Sequence, residues 1–362
     1  MPGARKILIA PLDWGLGHAT RCIPLIDILR QCGAEVWLAG SLSSCNLIRE
    51  YFPDIQCLDL PSYGVSYTQH PFWLPWHLLK QFPGILKIID QEHALLKNWV
   101  RQYHFDGVIS DNRYGMWHTE VPSVFLGHQL RIQVPQSRLV EKVVFHVHAK
   151  RIRHFSSLWI PDFPDQRLSG KLSEVPKGIE VEWIGNLSRF SRQKMEPFER
   201  ELLIILSGPE PQRTLLETEL FAQLQHSKIR AALVRGMPSG QPLLSDSVSV
   251  YNHLSTPAMQ QMIATSEILM VRSGYSTIMD LYQLQRHAIL IPTPGQTEQD
   301  YLANWHEQKG LFLQAKQGAI DLQQLIKNYR SKSFSKFPEY SSGLCQDVCT
   351  CWLASLGKEK ED

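Results

Sequence analysis

The chain has 362 residues, 43% apolar and 20% charged, the composition of a globular protein long enough for two α/β domains. Its formal net charge of +2 is no nucleic-acid footprint, which would need a concentrated basic face, and no run approaches the ~20 apolar residues that span a bilayer. Seven scattered cysteines without a C-x-x-C pair, and a first apolar run too short for a signal-peptide core, predict reduced thiols in a cytoplasmic protein.

Short apolar runs alternate with longer helical patterns, the signature of parallel βαβ units. In the first half strands are predicted at 6–10, 35–39, 56–60, 107–110, 123–126, 158–160 and 182–184. The first is followed by Asp13-Trp14-Gly15-Leu16-Gly17-His18, a tight glycine turn opening a helix, where free N–H groups and the helix dipole attract an anion. A dinucleotide fingerprint is disfavoured because Thr20 replaces the third glycine and the second strand ends without an acid. His18, at the tip of the turn, has two open readings, a general base or a capping and packing residue. After the third strand, 70–82 is rich in aromatics. Asp111-Asn112-Arg113 and Gly127-His128-Gln129 follow two further strands at the carboxyl edge, where open α/β sheets bind ligands. The segment 131–154 carries six Lys/Arg against the single acid Glu141, and with 70–82 suggests either a surface facing anionic lipid or buried aromatics beside a solvated basic face. The stretch 187–201 is polar and aperiodic, so the domain boundary is placed near residue 195.

The second half predicts strands at 202–206, 230–234, 247–251, 268–271 and 288–291, with a last helix over 346–356. Ser207-Gly208-Pro209 is a stiff small turn before a helix, suited to close approach by a phosphate or simply a rigid connection. Arg272-Ser273-Gly274-Tyr275-Ser276-Thr277 repeats the strand, glycine turn and helix arrangement, with Asp280 about one turn further on. A carboxylate there either accepts hydrogen bonds from a ribose diol or complements the helix dipole. Gln296-Thr297-Glu298-Gln299-Asp300 offers a density of amides and acids suited to sugar hydroxyls. With no D-x-D pair and no metal-ligand spacing, the chemistry is expected to need neither metal nor cofactor.

These residues resemble the GT-B glycosyltransferases, and among them the lipid II-forming N-acetylglucosaminyltransferase (MurG) family with its glycosyltransferase family 28 C-terminal domain. The resemblance runs through Gly15, Gly17 and His18, in part His128-Gln129, then Gly185-Asn186-Leu187-Ser188-Arg189, the Arg272–Asp280 segment and the Pro292–Asp300 loop. Three departures stand out. Asp280 replaces the ribose-binding Glu, Asp300 replaces a sugar-binding Gln, and Ser207-Gly208-Pro209-Glu210-Pro211 replaces a glycine-serine-rich phosphate loop.

The resemblance implies an α/β protein of two Rossmann-like parallel-sheet domains facing across a cleft. The acceptor domain would span 1–195, the nucleotide-sugar domain 196–340, and a helix in 341–362 would cross back to the first domain. It implies an inverting, metal-independent transfer from a UDP-sugar such as UDP-N-acetylglucosamine to an acceptor that the sequence does not name, lipid-linked in the related enzymes. The donor would be held by Arg189, Ser207, Gly208, Arg272, Ser273, Gly274, Ser276, Thr277, Asp280, Gln296, Glu298 and Gln299. The acceptor would meet Gly15, Gly17, Arg113 and His128. His18 is expected as base, with Asp111 as the second catalytic group. The alternatives are a sugar-nucleotide 2-epimerase of the same fold and a nucleotide-sugar-binding protein without catalysis. A peripheral position at the inner face of a membrane is also expected, with no nucleic-acid partner.

Overall fold

The computed structural model describes residues 4–64, 74–132, 138–192, 196–237, 240, 241, 243, 245, 248–339 and 343–357; of 74–82 only the backbone is described. The aromatic segment 70–82 therefore lies outside the described residues apart from that backbone, and so do residues 193–195 at the expected boundary. The chain forms two compact units, one of Met1–Ser66, Pro75–Arg189 and Tyr340–Asp362, the other of Tyr67–Leu74 and Phe190–Glu339.

In the first unit seven parallel strands are ordered β3-β2-β1-β4-β5-β6-β7. They are β1 (Lys6–Pro11), β2 (Glu35–Gly40), β3 (Gln56–Asp59), β4 (Gly107–Asp111), β5 (Ser123–Leu126), β6 (Ser157–Ile160) and β7 (Val181–Trp183). Because helices cover both faces of a parallel sheet, its central strands are apolar throughout and do not alternate: Ile7, Leu8, Ile9 and Ala10 are all fully buried. One face packs Leu8, Ala10 and Val108 against Leu96 and Trp99 of the long helix α3 (Leu74–Tyr103). Helix α1 (Leu16–Gln31) buries Ala19, Cys22, Ile26 and Leu29. Helix α2 (Leu42–Arg49) follows β2, and α4 (Arg138–Ile152) follows β5. The last helix of the chain, Leu344–Ser355, packs on α1 and β7. Its Trp352 lies over Gly107, where a Cβ would come within 2.6 Å of the indole ring, and stands edge-on to Trp159.

The second unit has six parallel strands, β8 (Arg200–Ile205), β9 (Ala231–Val234), β10 (Ser249–Tyr251), β11 (Ser266–Val271), β12 (Ile289–Leu290) and β13 (Leu313–Gln314). Their order is β10-β9-β8-β11-β12-β13, the doubly wound arrangement of dinucleotide-fold sheets. Helix α5 (Gln212–Gln225) follows β8, α6 (Thr256–Ala264) precedes β11, α7 (Tyr275–Leu284) follows it, α8 (Thr297–Gln308) follows β12 and α9 (Leu322–Ser331) follows β13. Leu202, Ile204, Leu216, Leu220, Ile268, Met270, Ile289 and Leu322 form its core.

Candidate functional site

In each unit the strand order reverses at one point, between β1 and β4 in the first and between β8 and β11 in the second. Loops leaving the carboxyl ends of such a pair diverge to opposite faces and leave a crevice for a ligand. Both glycine turns singled out in the sequence lie at these points.

In the first unit Pro11 and Asp111 pair at the ends of β1 and β4, and the Leu12 N–H donates to the Asp111 carbonyl at 3.0 Å. The chain then turns through Gly15, at φ +86°, into α1. His18 and Arg21, three apart, share one face of this helix and both reach the Asp111 carboxylate. His18 Nδ1 lies 3.0 Å from Asp111 Oδ1, Arg21 Nε donates to Oδ2 at 2.8 Å, and Arg21 Nη2 donates to Oδ1. Arg21 Nη1 is 3.1 Å from His128 Nδ1. Burial alone would raise the Asp111 pKa, but the charges of Arg21 and His18 outweigh it and hold the carboxyl well below the usual carboxylate range. Arg21 Nη2 also lies 2.9 Å from His18 Nδ1, so this one ring nitrogen faces both a carboxylate that only accepts and a guanidinium that only donates. The His18 side chain is 18% exposed and that of Asp111 is 0% exposed. Of the pair, only His18 can touch a substrate. Asp111, expected as a second catalytic group, lies buried behind His18 and in contact with it.

Arg113 also departs from expectation. It is fully buried and donates to the Pro11 carbonyl at 2.8 Å and to Glu92 Oε1 at 2.5 Å. Glu92, itself fully buried on α3, accepts from Tyr63 Oη at 2.9 Å and from the Gly115 N–H at 3.2 Å. Gly115 has no alternative, since a Cβ there would meet the Ile89 carbonyl at 2.3 Å. Arg113 is thus an internal brace of the β1–α1 turn. His128, 5% exposed, is likewise held inside by Arg21.

In the second unit three loops stand side by side at the carboxyl ends of β8, β11 and β12. Helix α7 begins at Tyr275, with Gly274, which has no side chain, at its N-cap. Gly274 has an ordinary φ of −67°, and a Cβ built on it would meet nothing within 4 Å. Ser276, Thr277 and Asp280 lie half-buried on the helix face away from the core residues Ile278, Met279, Leu281 and Tyr282. Ser207 and Gly208 are exposed, and Gln296 and Glu298 are half-buried.

Three residues expected to hold the donor also tie these loops to one another. Arg272, 2% exposed, donates to the Ile291, Pro292 and Gln212 carbonyls at 3.3, 3.2 and 3.0 Å. Ser273 Oγ donates to the Gln299 carbonyl at 2.9 Å. Gln299 accepts from the Thr293 N–H at 2.9 Å and donates to Gln296 Oε1 at 2.5 Å. Two buried polar atoms beside Gly208, Arg272 Nε and Thr293 Oγ1, have no hydrogen-bond partner among the described residues. Burial pushes the Arg272 guanidinium down to about 10. Arg189 is the last residue of the Pro75–Arg189 segment of the first unit. Sequence reasoning missed Arg21 and Glu92; the i, i+3 spacing of His18 and Arg21 was the available signal for the first.

Residues 238–340 match the glycosyltransferase family 28 C-terminal domain. No curated protein matches the chain by sequence. Among solved structures, the glycosyltransferase of kitacinnamycin is similar at a TM-score of 0.62 and 14% identity, covering 99% of this chain and 96% of that one. MurG of Acinetobacter baumannii gives 0.53 at 12% identity over 97% and 95% of the two chains. The spinosyn rhamnosyltransferase SpnG complexed with thymidine diphosphate gives 0.56 at 12% identity over 96% and 95%. Two doubly wound α/β units with these likenesses define the GT-B fold. With its family 28 C-terminal domain, the protein is a glycosyltransferase.

Proposed function

We propose that the protein transfers a hexosyl group from a UDP-sugar, UDP-N-acetylglucosamine being the first candidate, to an acceptor hydroxyl with inversion and without a metal ion. The donor is assigned to the second unit and the acceptor to the first. The observation that carries this reading is the glycine at the N-cap of α7, inside the family 28 segment and at the reversal of strand order. Neither backbone conformation nor any neighbour within 4 Å requires a glycine there, which supports close approach by a ligand. The α7 N–H groups and Ser276 and Thr277 would take the diphosphate. Arg272 Nε and Thr293 Oγ1, unsatisfied beside Gly208, suit a phosphate oxygen at the same turn. Arg189 and Ser207 are further diphosphate contacts in this reading. Asp280 would accept from the ribose diol, and Gln296 and Glu298 from the sugar.

At the other end of the reaction, Nε2 of His18 removes the proton from the acceptor hydroxyl as its oxygen attacks the anomeric carbon. The bond from that carbon to the diphosphate oxygen breaks on the opposite face, so the anomeric centre inverts. The proton stays on the imidazole, whose new charge faces the ionised Asp111. The diphosphate leaves onto the α7 dipole and fixed positive groups, the preorganised electrostatics that contribute most to such transfers. Asp111 and Arg21 are positioning residues. Gly15 and Gly17 give the acceptor close access to the turn.

A membrane-side position has its own support. On α4, Leu139, Val143 and Val147 are 72%, 56% and 49% exposed and four residues apart, forming one apolar stripe flanked by exposed Lys142 and Lys150. Such a face suits peripheral contact with anionic lipid and a lipid-linked acceptor. Among the described residues no helix is long and apolar enough to cross a membrane. The test of the donor reading is a thermal-shift screen of UDP-, TDP-, GDP- and CMP-sugars. Stabilisation by UDP-sugars supports it, and a response to none of them would overturn it.

A further inference from the structure

Two of the seven cysteines meet between α2 and β3. Leu58 of β3 packs with the core on the α3 side of the sheet, so Cys57 and Asp59, its neighbours in the pleat, are directed to the opposite face. Helix α2 lies on that face. Its Cys45 Sγ is 4.0 Å from the carbonyl of Gly40, the residue paired with Asp59. Arg49, one turn beyond Cys45, completes a group of two thiols, one guanidinium and one carboxylate.

Their surroundings divide the two sulfurs by role. Cys45 is buried, and its S–H is directed at Cys57. Cys57 is half-buried on the edge strand of the sheet, where solvent reaches it. The Cys45 S–H, aided by the Arg49 guanidinium, holds the Cys57 thiol below its ordinary value against the effect of burial; donating to Cys57, together with burial, pushes the Cys45 thiol up. An ionised, accessible sulfur beside a protonated, buried one is the arrangement of an attacking and a resolving thiol. The other close pair lacks it. Cys345 and Cys349 lie 3.9 Å apart on the last helix, but both are buried, and the Cys349 thiol is pushed up by its partner and by burial.

From this juxtaposition we propose that Cys57 and Cys45 are a reversible redox couple that reacts with hydroperoxides, Cys57 attacking and Cys45 resolving. The Cys57 thiolate attacks one peroxide oxygen, the O–O bond breaks, and hydroxide leaves a sulfenic acid on Cys57. The Cys45 sulfur then attacks that of Cys57, the S–O bond breaks, and the oxygen departs as water with the Cys45 proton. Two thiols become one disulfide, and one peroxide is reduced by two electrons to water. The bond ties α2 to β3.

The experiment treats the intact chain at neutral pH with a small excess of hydrogen peroxide and maps its cysteines by mass spectrometry without reduction. A disulfide between Cys45 and Cys57 that dithiothreitol reverses is expected, with Cys345 and Cys349 left as thiols. In Cys45→Ser, where a hydroxyl can still donate to Cys57, dimedone should trap a sulfenic acid on Cys57. Before any oxidant, iodoacetamide should label Cys57 of the wild-type chain ahead of the exposed Cys351, and Cys45→Ala should slow that labelling by about threefold or more. Oxidation that begins at Cys351 or joins any other pair overturns the inference. So does labelling of Cys57 no faster than of Cys351, or a folded Cys45→Ser chain whose Cys57 yields no sulfenic acid. The wild-type mapping and labelling order need no variant, so they decide the matter even where a substitution prevents folding.

Discussion

Asp111→Asn isolates the element on which the proposed base depends. The carboxylate receives His18 Nδ1, Arg21 Nε and Arg21 Nη2, with Cys22 Sγ at 3.8 Å. An asparagine of the same shape presents one oxygen and one amide, so one of the two positions sets donor against donor. Arg21, 2% exposed, would also keep its charge without its counter-ion. Breaking a buried ion pair from one side costs about 3–5 kcal/mol, or on the order of 10 °C in Tm for a unit of this size. Because the folded Asp111 titrates below its unfolded value, its contribution is complete above about pH 4 and lost as pH falls through the folded value. The variant should therefore show a flatter acid limb. In transfer assays kcat should fall by about 10²–10⁴, the range typical of a lost general base, because His18 loses the carboxylate that holds its ring. UDP affinity, measured by titration calorimetry, should not change. A variant within 1 kcal/mol of wild type in denaturant titrations, or one with wild-type kcat, would refute the reasoning.

Asp280→Ala should weaken UDP binding by about tenfold to a hundredfold, the equivalent of roughly 1.5–3 kcal/mol for a charge-assisted hydrogen bond, as read by calorimetry. Gly274→Ala places a methyl group in open space, so Tm should barely move while the UDP Kd rises at least tenfold; a loss of Tm without a loss of affinity would reassign Gly274 to the fold. His148 is buried, donates from Nδ1 to the Leu130 carbonyl at 3.0 Å, and burial pushes its pKa down to about 4. The unfolded chain binds that proton first, so stability falls as pH drops from about 6.5 to 4, by roughly 3 kcal/mol in all. Replacing His148 with Gln should remove this limb from pH-dependent denaturation curves.

Much of the fold was legible because the central strands of a parallel sheet are continuous apolar runs bounded by glycine turns. Ile7–Ala10 and Ile268–Val271 announce themselves in this way. Edge strands carry less signal. β13, the two residues Leu313 and Gln314, is held by pairing with β12 and has no apolar run of its own. Both glycine turns and Asp111 were visible as candidates because they follow strands. What each side chain does there was not visible, because the partners are remote in sequence. The Arg21–Asp111 pair joins residues ninety apart, and Glu92 reaches Arg113 from the middle of a helix. That Arg272, Ser273 and Gln299 tie the loops together was not visible either, because their hydrogen bonds to neighbouring carbonyls and amides are set by the register of β8, β11 and β12.

The most direct test of the account is the effect of His18→Ala on kcat and on UDP affinity, measured on the same folded preparation. The base is assigned to the first unit and the nucleotide to the second. The account therefore predicts a loss of at least two orders of magnitude in kcat, with an unchanged Kd for UDP and a Tm close to wild type. A folded variant that keeps most of its kcat would contradict the base assignment. One that loses UDP binding would contradict the division of donor and acceptor between the units.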